Sequence, residues 1–166
     1  IDLGIHEVDI LRHIIGSKII RVYAETAQRI HSNHEDLLTA TVRFENGILG
    51  VINANWLTPK KVREISVTGE KGMFVANYIT QELNFYENEF FRQNSNSSMS
   101  GMNVMEGRKI NIQVPFEEPL RKELSAFIEC VESKSKEPVS GQDGLEALKI
   151  VSKLMESAKK NEVIDV

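Results

Sequence analysis

The sequence has little that could crosslink it, anchor it in a membrane or bind it to nucleic acid. Its 166 residues include one cysteine, Cys130, which excludes an intrachain disulfide and favours a reducing cytoplasm. No apolar run approaches the roughly 20 residues needed to cross a bilayer, and no secretory segment opens the chain. A net charge of −4 excludes a generic attraction for nucleic-acid phosphates. We therefore expect a cytoplasmic protein without membrane or nucleic-acid partners.

Motifs that would let the chain catalyse a reaction on its own are also missing. The sequence contains no G-x-G-x-x-G, no G-x-x-x-x-G-K-[ST], no C-x-x-C, no H-E-x-x-H and no G-x-S-x-G. It therefore has no recognisable motif for a cofactor pyrophosphate and none of these metal-binding motifs. The length fits one domain, residues 1–166, and a hydrophobic content of 41% is enough for a packed core. The first residue is Ile1, inside an apolar-periodic stretch, which suggests a fragment.

The order of hydrophobic periodicities predicts one helix, many strands and two further helices. A helical period ends at Gly16, a period of two runs from Lys18 to about Tyr86, and a helical period returns after Pro119. This order predicts an α+β fold with an open, largely antiparallel or mixed sheet covered by helices on one face. The Ser- and Asn-rich segment 93–103 is predicted to be a surface loop, and a final short strand is expected at the C-terminus.

A hairpin is predicted around the Asn-Gly pair at 46–47, the dipeptide most typical of a two-residue turn. Such a turn pairs Phe44 with Leu49 and Val42 with Val51, which puts these four side chains on one face. The opposite face is then a mixture of polar and apolar side chains, namely Thr39, Thr41, Arg43, Ile52, Ala54 and Trp56. A mixed face either is half-solvated or meets another subunit. The second interpretation predicts a homodimer or tetramer formed through this open sheet face.

The densest group of chemistry-bearing side chains lies on the first predicted helix, residues 4–16. His6, Asp9 and His13 share one face of it, opposite the apolar side. Asp2 lies one turn before His6, where a carboxylate can fix the tautomer of the imidazole. His6 is therefore a candidate general acid–base. Two alternatives remain open: Asp2 caps the helix while His6 packs structurally, or the shared face holds a metal.

Weaker candidates lie elsewhere in the chain. Trp56 followed by Lys60 offers an aromatic face and a positive charge for a sugar or a phosphate, or else a subunit-interface anchor beside a solvated lysine. His31 and His34 fall in a polar connection between strands, where exposed histidines are common. Cys130 lies beside an apolar helix stripe without an activating neighbour and is predicted to be a small buried filler.

Three segments together resemble the glucose–fructose oxidoreductase/inositol dehydrogenase (Gfo/Idh/MocA) family. Residues 1–9, with Arg12 and Gly16, resemble its D-x-G-x-H-x-x-D segment. Residues 67–72 resemble its G-x-x-G sheet turn, and residues 118–148 resemble its closing helices. The resemblance implies a two-domain NAD(P)-dependent oxidoreductase of which this chain is the C-terminal domain. The N-terminal Rossmann domain, with the cofactor-binding glycines and a Lys-Pro motif, is expected to lie outside this chain.

The same resemblance implies roles for individual residues. His6 matches the catalytic histidine that moves a proton on the substrate alcohol, and Asp2 matches the carboxylate one turn earlier. Trp56 and Lys60 remain candidate substrate-binding residues. The implied cofactor is NAD or NADP, bound mainly by the N-terminal domain, with no cofactor-binding residue and no metal in this chain.

The implied substrate is a sugar or a nucleotide sugar. Residues 22–26 and 53–59 look most similar to UDP-N-acetylglucosamine 3-dehydrogenase-like members of the family, and the reacting group would then be the sugar 3-hydroxyl. The isolated domain is expected to be inactive. The alternative is a non-catalytic oligomerisation or ligand-binding module with the same fold.

Overall fold

A computed structural model describes residues 2–30, 33–92 and 102–166. The chain forms two compact units. The first unit comprises Ile1–Pro59 and Ala126–Val166, and the second unit comprises Lys60–Ser125. Within the described residues, one helix is followed by seven strands, two helices and a short last strand, so the predicted α+β class is confirmed.

The helices and strands follow the predicted order. The helices are α1 (Asp2–Ile15), α2 (Pro119–Ser133) and α3 (Gly141–Lys160). The strands are β1 (Ile19–Ala27), β2 (Leu37–Phe44), β3 (Leu49–Asn55), β4 (Glu64–Gly69), β5 (Gly72–Asn77), β6 (Glu82–Arg92), β7 (Met102–Ile112) and β8 (Ile164–Asp165). The short last strand is confirmed. Of the loop predicted at 93–103, residues 93–101 lie outside the described residues, and the end of that prediction is wrong because Met102 already pairs with Arg92 in the sheet.

The first unit is an antiparallel sheet in the order β3-β2-β1-β8, with α1 and α3 packed on one face. Alternate residues of the central strands point to the helices, since successive side chains of a strand face opposite sides. The core is formed by Val8 of α1, by these inward strand residues and by one face of α3, including Val22, Ala24, Ala40, Val42, Phe44, Ile52, Ile150, Val151 and Leu154. The predicted arrangement of helices on one sheet face is confirmed in this unit.

The register of the β2–β3 hairpin differs from the prediction by one residue. Phe44 accepts a hydrogen bond from Gly47 N–H at 2.9 Å and donates its own N–H to Ile48 at 2.9 Å. Gly47 has a φ of +87°, so the loop contains three residues, with a left-handed glycine at its end, instead of two. Arg43 therefore pairs with Leu49, where the two-residue turn predicted Phe44.

A slip of one residue moves every side chain of β3 to the other face of the sheet. Ile52 is 2% exposed and lies in the core, whereas Leu49 is 63% exposed and Val51 is 71% exposed. The predicted grouping of Ile52 with Thr39 and Thr41 is thus wrong. The side of the sheet away from the helices carries a different set of residues, which we call the outer sheet face: Arg21, Tyr23, Thr39, Thr41, Arg43, Leu49 and Val51.

The second unit contains a four-stranded antiparallel sheet in the order β4-β5-β6-β7. The predicted turn at 67–72 joins β4 to β5, with Gly69 paired with Gly72. A Cβ at Gly72 would collide with the carbonyl oxygen of Tyr86, which explains why the second glycine of the G-x-x-G turn is required. No helix within the described ranges is both long enough and apolar enough to cross a membrane.

Candidate functional site

Helix α1 has an inner and an outer face. Val8 is fully buried, and Leu11 packs against the core of the first unit. His6 and His13 are exposed and Asp9 is half-buried. The helical period predicted this division, and it is confirmed, because residues at spacings of three and four return to the same side of a helix.

Gly4 determines how closely α1 approaches the sheet. A Cβ at this position would lie 3.0 Å from Cδ2 of Leu38, so glycine lets the first turn of the helix rest directly on β2. Each helical residue turns by about 100°, so His6 lies about 200° around the axis from Gly4. Close packing at Gly4 therefore directs His6 away from the sheet. This geometry gives a physical reason for the Gly-x-His spacing in the segment.

His6 is exposed and does not pack in the interior of the first unit. Asp2 is the first residue of α1, but its side chain lies outside the described part of the structure, as does His31. His34 is exposed. Among the side chains that are described, no three His, Cys, Asp or Glu residues come together in a way that could hold a metal ion.

A narrow cleft lies beside the first turn of α1, within the first unit. Trp56 is one of its lining residues; it is 60% exposed, and its backbone N–H donates to the carbonyl oxygen of Asp36 at 2.9 Å. Most of the lining residues are apolar, and Thr26 and Glu35 add polar groups. We call this the Trp56 cleft, lined by Gly4, Thr26, Glu35, Asp36, Leu37, Leu38, Ala54, Trp56, Val151, Leu154 and Met155.

One wall of the Trp56 cleft is held by a buried carboxylate. Asp36 is 1% exposed and accepts hydrogen bonds from the backbone N–H groups of Arg29, at 2.9 and 3.0 Å, and Ile30, at 2.6 Å. These hydrogen bonds to backbone donors fix the connection between β1 and β2, whose backbone has no strand partner there. Sequence reasoning missed Glu35 and Asp36. The only local signal was a pair of acidic residues directly before a strand.

The two predicted substrate-binding residues fall in different units. Trp56 lines the Trp56 cleft of the first unit, and Lys60 is an exposed residue of the second unit. His6 does not line the cleft, because it points around the helix from Gly4. Trp56 is therefore close to the start of α1, while the candidate acid–base faces outward from the same helix.

The other end of α1 is tied to the start of α3. Nη1 of Arg12 donates to the backbone oxygen of Asp143 at 3.0 Å. Ser140 caps α3, since its hydroxyl accepts from Asp143 N–H at 3.2 Å and its own N–H donates to the Asp143 carboxylate at 2.9 Å. Hydrogen bonds from the Ser140 hydroxyl and N–H lower the pKa of Asp143, and Arg12 adds to the effect. Arg12 thus has a structural role in the described residues.

The prediction for Cys130 is wrong. The thiol is half-buried instead of buried, and its Sγ lies 3.7 Å from the carbonyl oxygen of Lys136. The reason is that α2, which carries it, contributes no buried residue.

The fold and the site together define a class of protein: an α+β domain with a helix-covered antiparallel sheet and an outward-facing histidine on its first helix. The model of the Gfo/Idh/MocA family described as "Oxidoreductase family, C-terminal alpha/beta domain" matches residues 1–166. The chain belongs to this oxidoreductase family and corresponds to its C-terminal domain. The resemblance seen in the sequence is confirmed.

Similar proteins support the same assignment. Myo-inositol 2-dehydrogenase of Thermotoga maritima is 27% identical over 154 residues, which cover 89% of this chain and 43% of that protein. The structure of UDP-N-acetylglucosamine 3-dehydrogenase GnnA from Acidithiobacillus ferrooxidans matches with a TM-score of 0.77 and 15% identity, covering 95% of this chain and 46% of that chain. The WlbA dehydrogenase of Bordetella pertussis, in complex with NADH and UDP-GlcNAcA, matches with a TM-score of 0.66 and 23% identity, covering 98% and 43%.

These relatives are much longer than the chain described here. The chain spans less than half the length of the curated relatives that it matches. At these identities the solved structures show that the fold is shared.

Proposed function

We propose that this chain is the substrate-binding and oligomerisation domain of an NAD(P)-dependent dehydrogenase that oxidises a hydroxyl group of a sugar or nucleotide sugar. The observation that carries the proposal is the exposure of His6, which matches the histidine of the D-x-G-x-H-x-x-D segment that residues 1–9 resemble. A second domain, N-terminal to this one, completes the enzyme. The isolated domain is expected to be inactive because the sequence has no loop for a cofactor pyrophosphate.

The residues of this chain fit the part of the reaction that takes place on the substrate. When bound, NAD or NADP supplies the hydride acceptor. His6 accepts the proton of the substrate alcohol as the hydride leaves, and an imidazole suits this role because it can exchange a proton near neutral pH. Its outward position is the one required of a group that meets a substrate held between this domain and another. Asp2 is proposed to orient the imidazole from one turn earlier.

The exposed Trp56 beside this cleft is proposed to contact a part of the substrate remote from the reacting carbinol. An exposed indole can stack on the apolar face of a sugar or on a base, and Glu35 offers acceptors for hydroxyl groups. GnnA is named for UDP-N-acetylglucosamine, and the WlbA complex contains UDP-GlcNAcA, so a nucleotide sugar is the favoured substrate class. UDP-N-acetylglucosamine, oxidised at the 3-hydroxyl, is the specific candidate. Lys60 remains a proposed contact for a substrate phosphate.

The test uses the two-domain protein, which is this chain joined to its N-terminal dinucleotide-binding domain. His6→Ala is expected to lower kcat by about 10²–10⁴, the usual contribution of a general acid–base. His13→Ala is the matched control, because His13 is exposed on the same face of α1 nearly two turns further on. NAD(P)H formation is followed by absorbance with sugar and nucleotide-sugar substrates. If His6→Ala turned over as fast as His13→Ala and the wild type, His6 would have no role in the proton transfer.

The second candidate is a non-catalytic assembly module, and one observation is compatible with both candidates. Leu49 and Val51 expose apolar side chains on the outer sheet face, and adjacent exposed apolar residues often mark a protein–protein contact. In the main proposal this same face forms the homodimer or tetramer contact. If the chain is instead an assembly module, the two-domain protein should form the oligomer but reduce neither NAD nor NADP with any sugar tested.

A further inference from the structure

The backbone of Trp56, the residue that follows β3, is held from two sides. Its N–H donates to the carbonyl oxygen of Asp36 at 2.9 Å. Next to it in the chain, Oδ1 of Asn55 accepts from the backbone N–H groups of Leu57 and Thr58, each at 3.0 Å. A side-chain oxygen bonded in this way fixes a turn. The backbone of Trp56 is therefore fixed, although the residue is exposed and lies beyond the end of the strand.

Asp36 connects this position to the rest of the first unit. Its carboxylate accepts from the N–H groups of Arg29 and Ile30, which lie in the connection between β1 and β2. Its own N–H donates to the carbonyl oxygen of Ala27, the last residue of β1, at 3.0 Å. One buried residue thus bonds to the end of β1, to the connection that follows it and to Trp56.

A buried carboxylate is a costly way to fill this place. Its transfer from water costs free energy that an apolar side chain would not lose, and only well-formed hydrogen bonds offset that cost. Hydrogen bonds to a carboxylate are about twice as strong as those between neutral groups, and a bonded buried network rigidifies the groups that it joins. Asp36 is therefore suited to holding its bonded segments in one conformation, and Trp56 is the aromatic residue among them.

We infer that Asp36 is a positioning residue for Trp56: it holds the backbone that carries the indole, so that the indole meets the substrate already ordered. This inference rests on the proposed function, in which Trp56 contacts a part of the substrate remote from the reacting carbinol. Binding that must first immobilise a side chain is weaker than binding to a side chain that is already held. Asp36 then acts on substrate binding through Trp56 and leaves the chemical step unchanged.

The first test follows the indole directly. Trp56 is the only tryptophan of the 166-residue chain, so the decay of tryptophan fluorescence anisotropy reports on this side chain alone. Asp36→Ala is expected to increase the amplitude of the sub-nanosecond decay by about twofold, because a released segment moves on the picosecond to nanosecond timescale. Asp36→Asn keeps one neutral acceptor oxygen and should give a smaller increase. This milder variant decides the test if Asp36→Ala does not fold.

Two controls separate positioning from a general loss of stability. Asp165→Ala makes the same substitution at an exposed carboxylate of β8. Ser157→Ala removes the hydrogen bonds of a buried side chain of α3, to Ala24 and Glu162, in the same unit. Both variants should keep the anisotropy decay of the wild type. Far-ultraviolet circular dichroism confirms that each variant is folded.

The second test uses the two-domain protein and the sugar or nucleotide sugar that the wild type oxidises. Asp36→Ala is expected to raise KM by about 3- to 10-fold, the effect of ordering one side chain on binding, with kcat within about twofold of the wild type. Trp56→Ala should also raise KM. The double variant should have the KM of Trp56→Ala alone, because Asp36 acts through Trp56.

The outcomes separate this inference from the proposed function. An unchanged anisotropy decay in the Asp36 variants would overturn the inference whether or not a sugar is oxidised. In an active enzyme, an unchanged KM in Trp56→Ala, or independent effects of the two substitutions in the double variant, would also overturn it. A faster decay in Asp36→Ala, with a two-domain protein that oxidises no sugar, would support the positioning of Trp56 and refute only the proposed function.

Discussion

The buried serine of α3 provides a sharp test of how the first unit is held together. Ser157 is fully buried; its hydroxyl accepts from the N–H of Ala24 at 3.0 Å and donates to the carbonyl oxygen of Glu162 at 2.5 Å. Strand β8 pairs with β1 only at Arg21 and Val22. The N–H of Ala24 therefore lies beyond the end of β8, and the serine hydroxyl takes the place of the missing strand neighbour.

The substitution Ser157→Ala removes both hydrogen bonds. Only one of the two backbone groups that lose their partner is expected to lower the stability. Ala24 is fully buried, so its N–H loses its partner and cannot reach water, whereas Glu162 is exposed and its carbonyl oxygen can be hydrated. An unsatisfied buried backbone donor costs about 1–3 kcal/mol. We therefore expect the free energy of unfolding to fall by about 1–3 kcal/mol, which is a large part of the stability of a typical domain.

Urea unfolding followed by far-ultraviolet circular dichroism measures this change. The midpoint should decrease while the dependence on urea stays constant, because the surface exposed on unfolding is unchanged. Ser133→Ala is the control: that hydroxyl also donates to a carbonyl oxygen, of Glu129 at 2.6 Å, but the residue is exposed. Its effect should stay below about 0.5 kcal/mol. Equal small effects of both substitutions would refute the argument that the Ser157 hydroxyl completes the β1 ladder.

Two further predictions concern the hairpin and the surface of α3. Ile52→Lys should destabilise the protein by about 3 kcal/mol or more in urea unfolding, because it buries an unpaired charge, while Val51→Lys should change stability by less than about 0.5 kcal/mol. A larger loss of stability in Val51→Lys than in Ile52→Lys would show that the hairpin has the two-residue register. Glu156 accepts from Lys160 at 2.7 Å and from Lys153 at 2.9 Å, and these bonds, that of Lys160 foremost, lower the pKa of the carboxyl group from 4.5 to about 2. Since the folded-state pKa is the lower one, the stabilisation is present above about pH 4.5 and is lost as the pH falls towards 2. The stability difference between wild type and Glu156→Gln should therefore shrink over that range, and also in high salt at neutral pH; a constant difference would contradict the ion-pair assignment.

Features encoded over a few residues were determined by the sequence alone. The two sides of α1 follow from the spacing of Val8 and Leu11 on one side and His6 on the other. The start of α3 follows from Ser140 and Asp143, three residues apart, which form the cap between them. The periodicity of α2 likewise predicts an apolar stripe. These features were predictable because each depends on backbone geometry within one or two turns of a helix.

The candidate site was predictable in part. His6 was identified from its motif, and the structure adds that it is exposed. The Trp56 cleft could not be predicted, because Thr26, Glu35 and Met155 come from distant parts of the chain and are joined only by packing.

The tertiary structure decided which residues meet and which face is buried. Because Gly47 adopts the left-handed conformation, the turn is one residue longer than predicted. Ile52 therefore lies in the core and not on the open face. Ser157 is an unremarkable helix residue in the sequence, yet it completes a strand 133 positions away. Local patterns cannot specify such pairings, because a hydrogen bond or an apolar contact has the same energy whichever distant partner supplies it. Only the simultaneous packing of α1, α3 and the sheet selects one partner for each group.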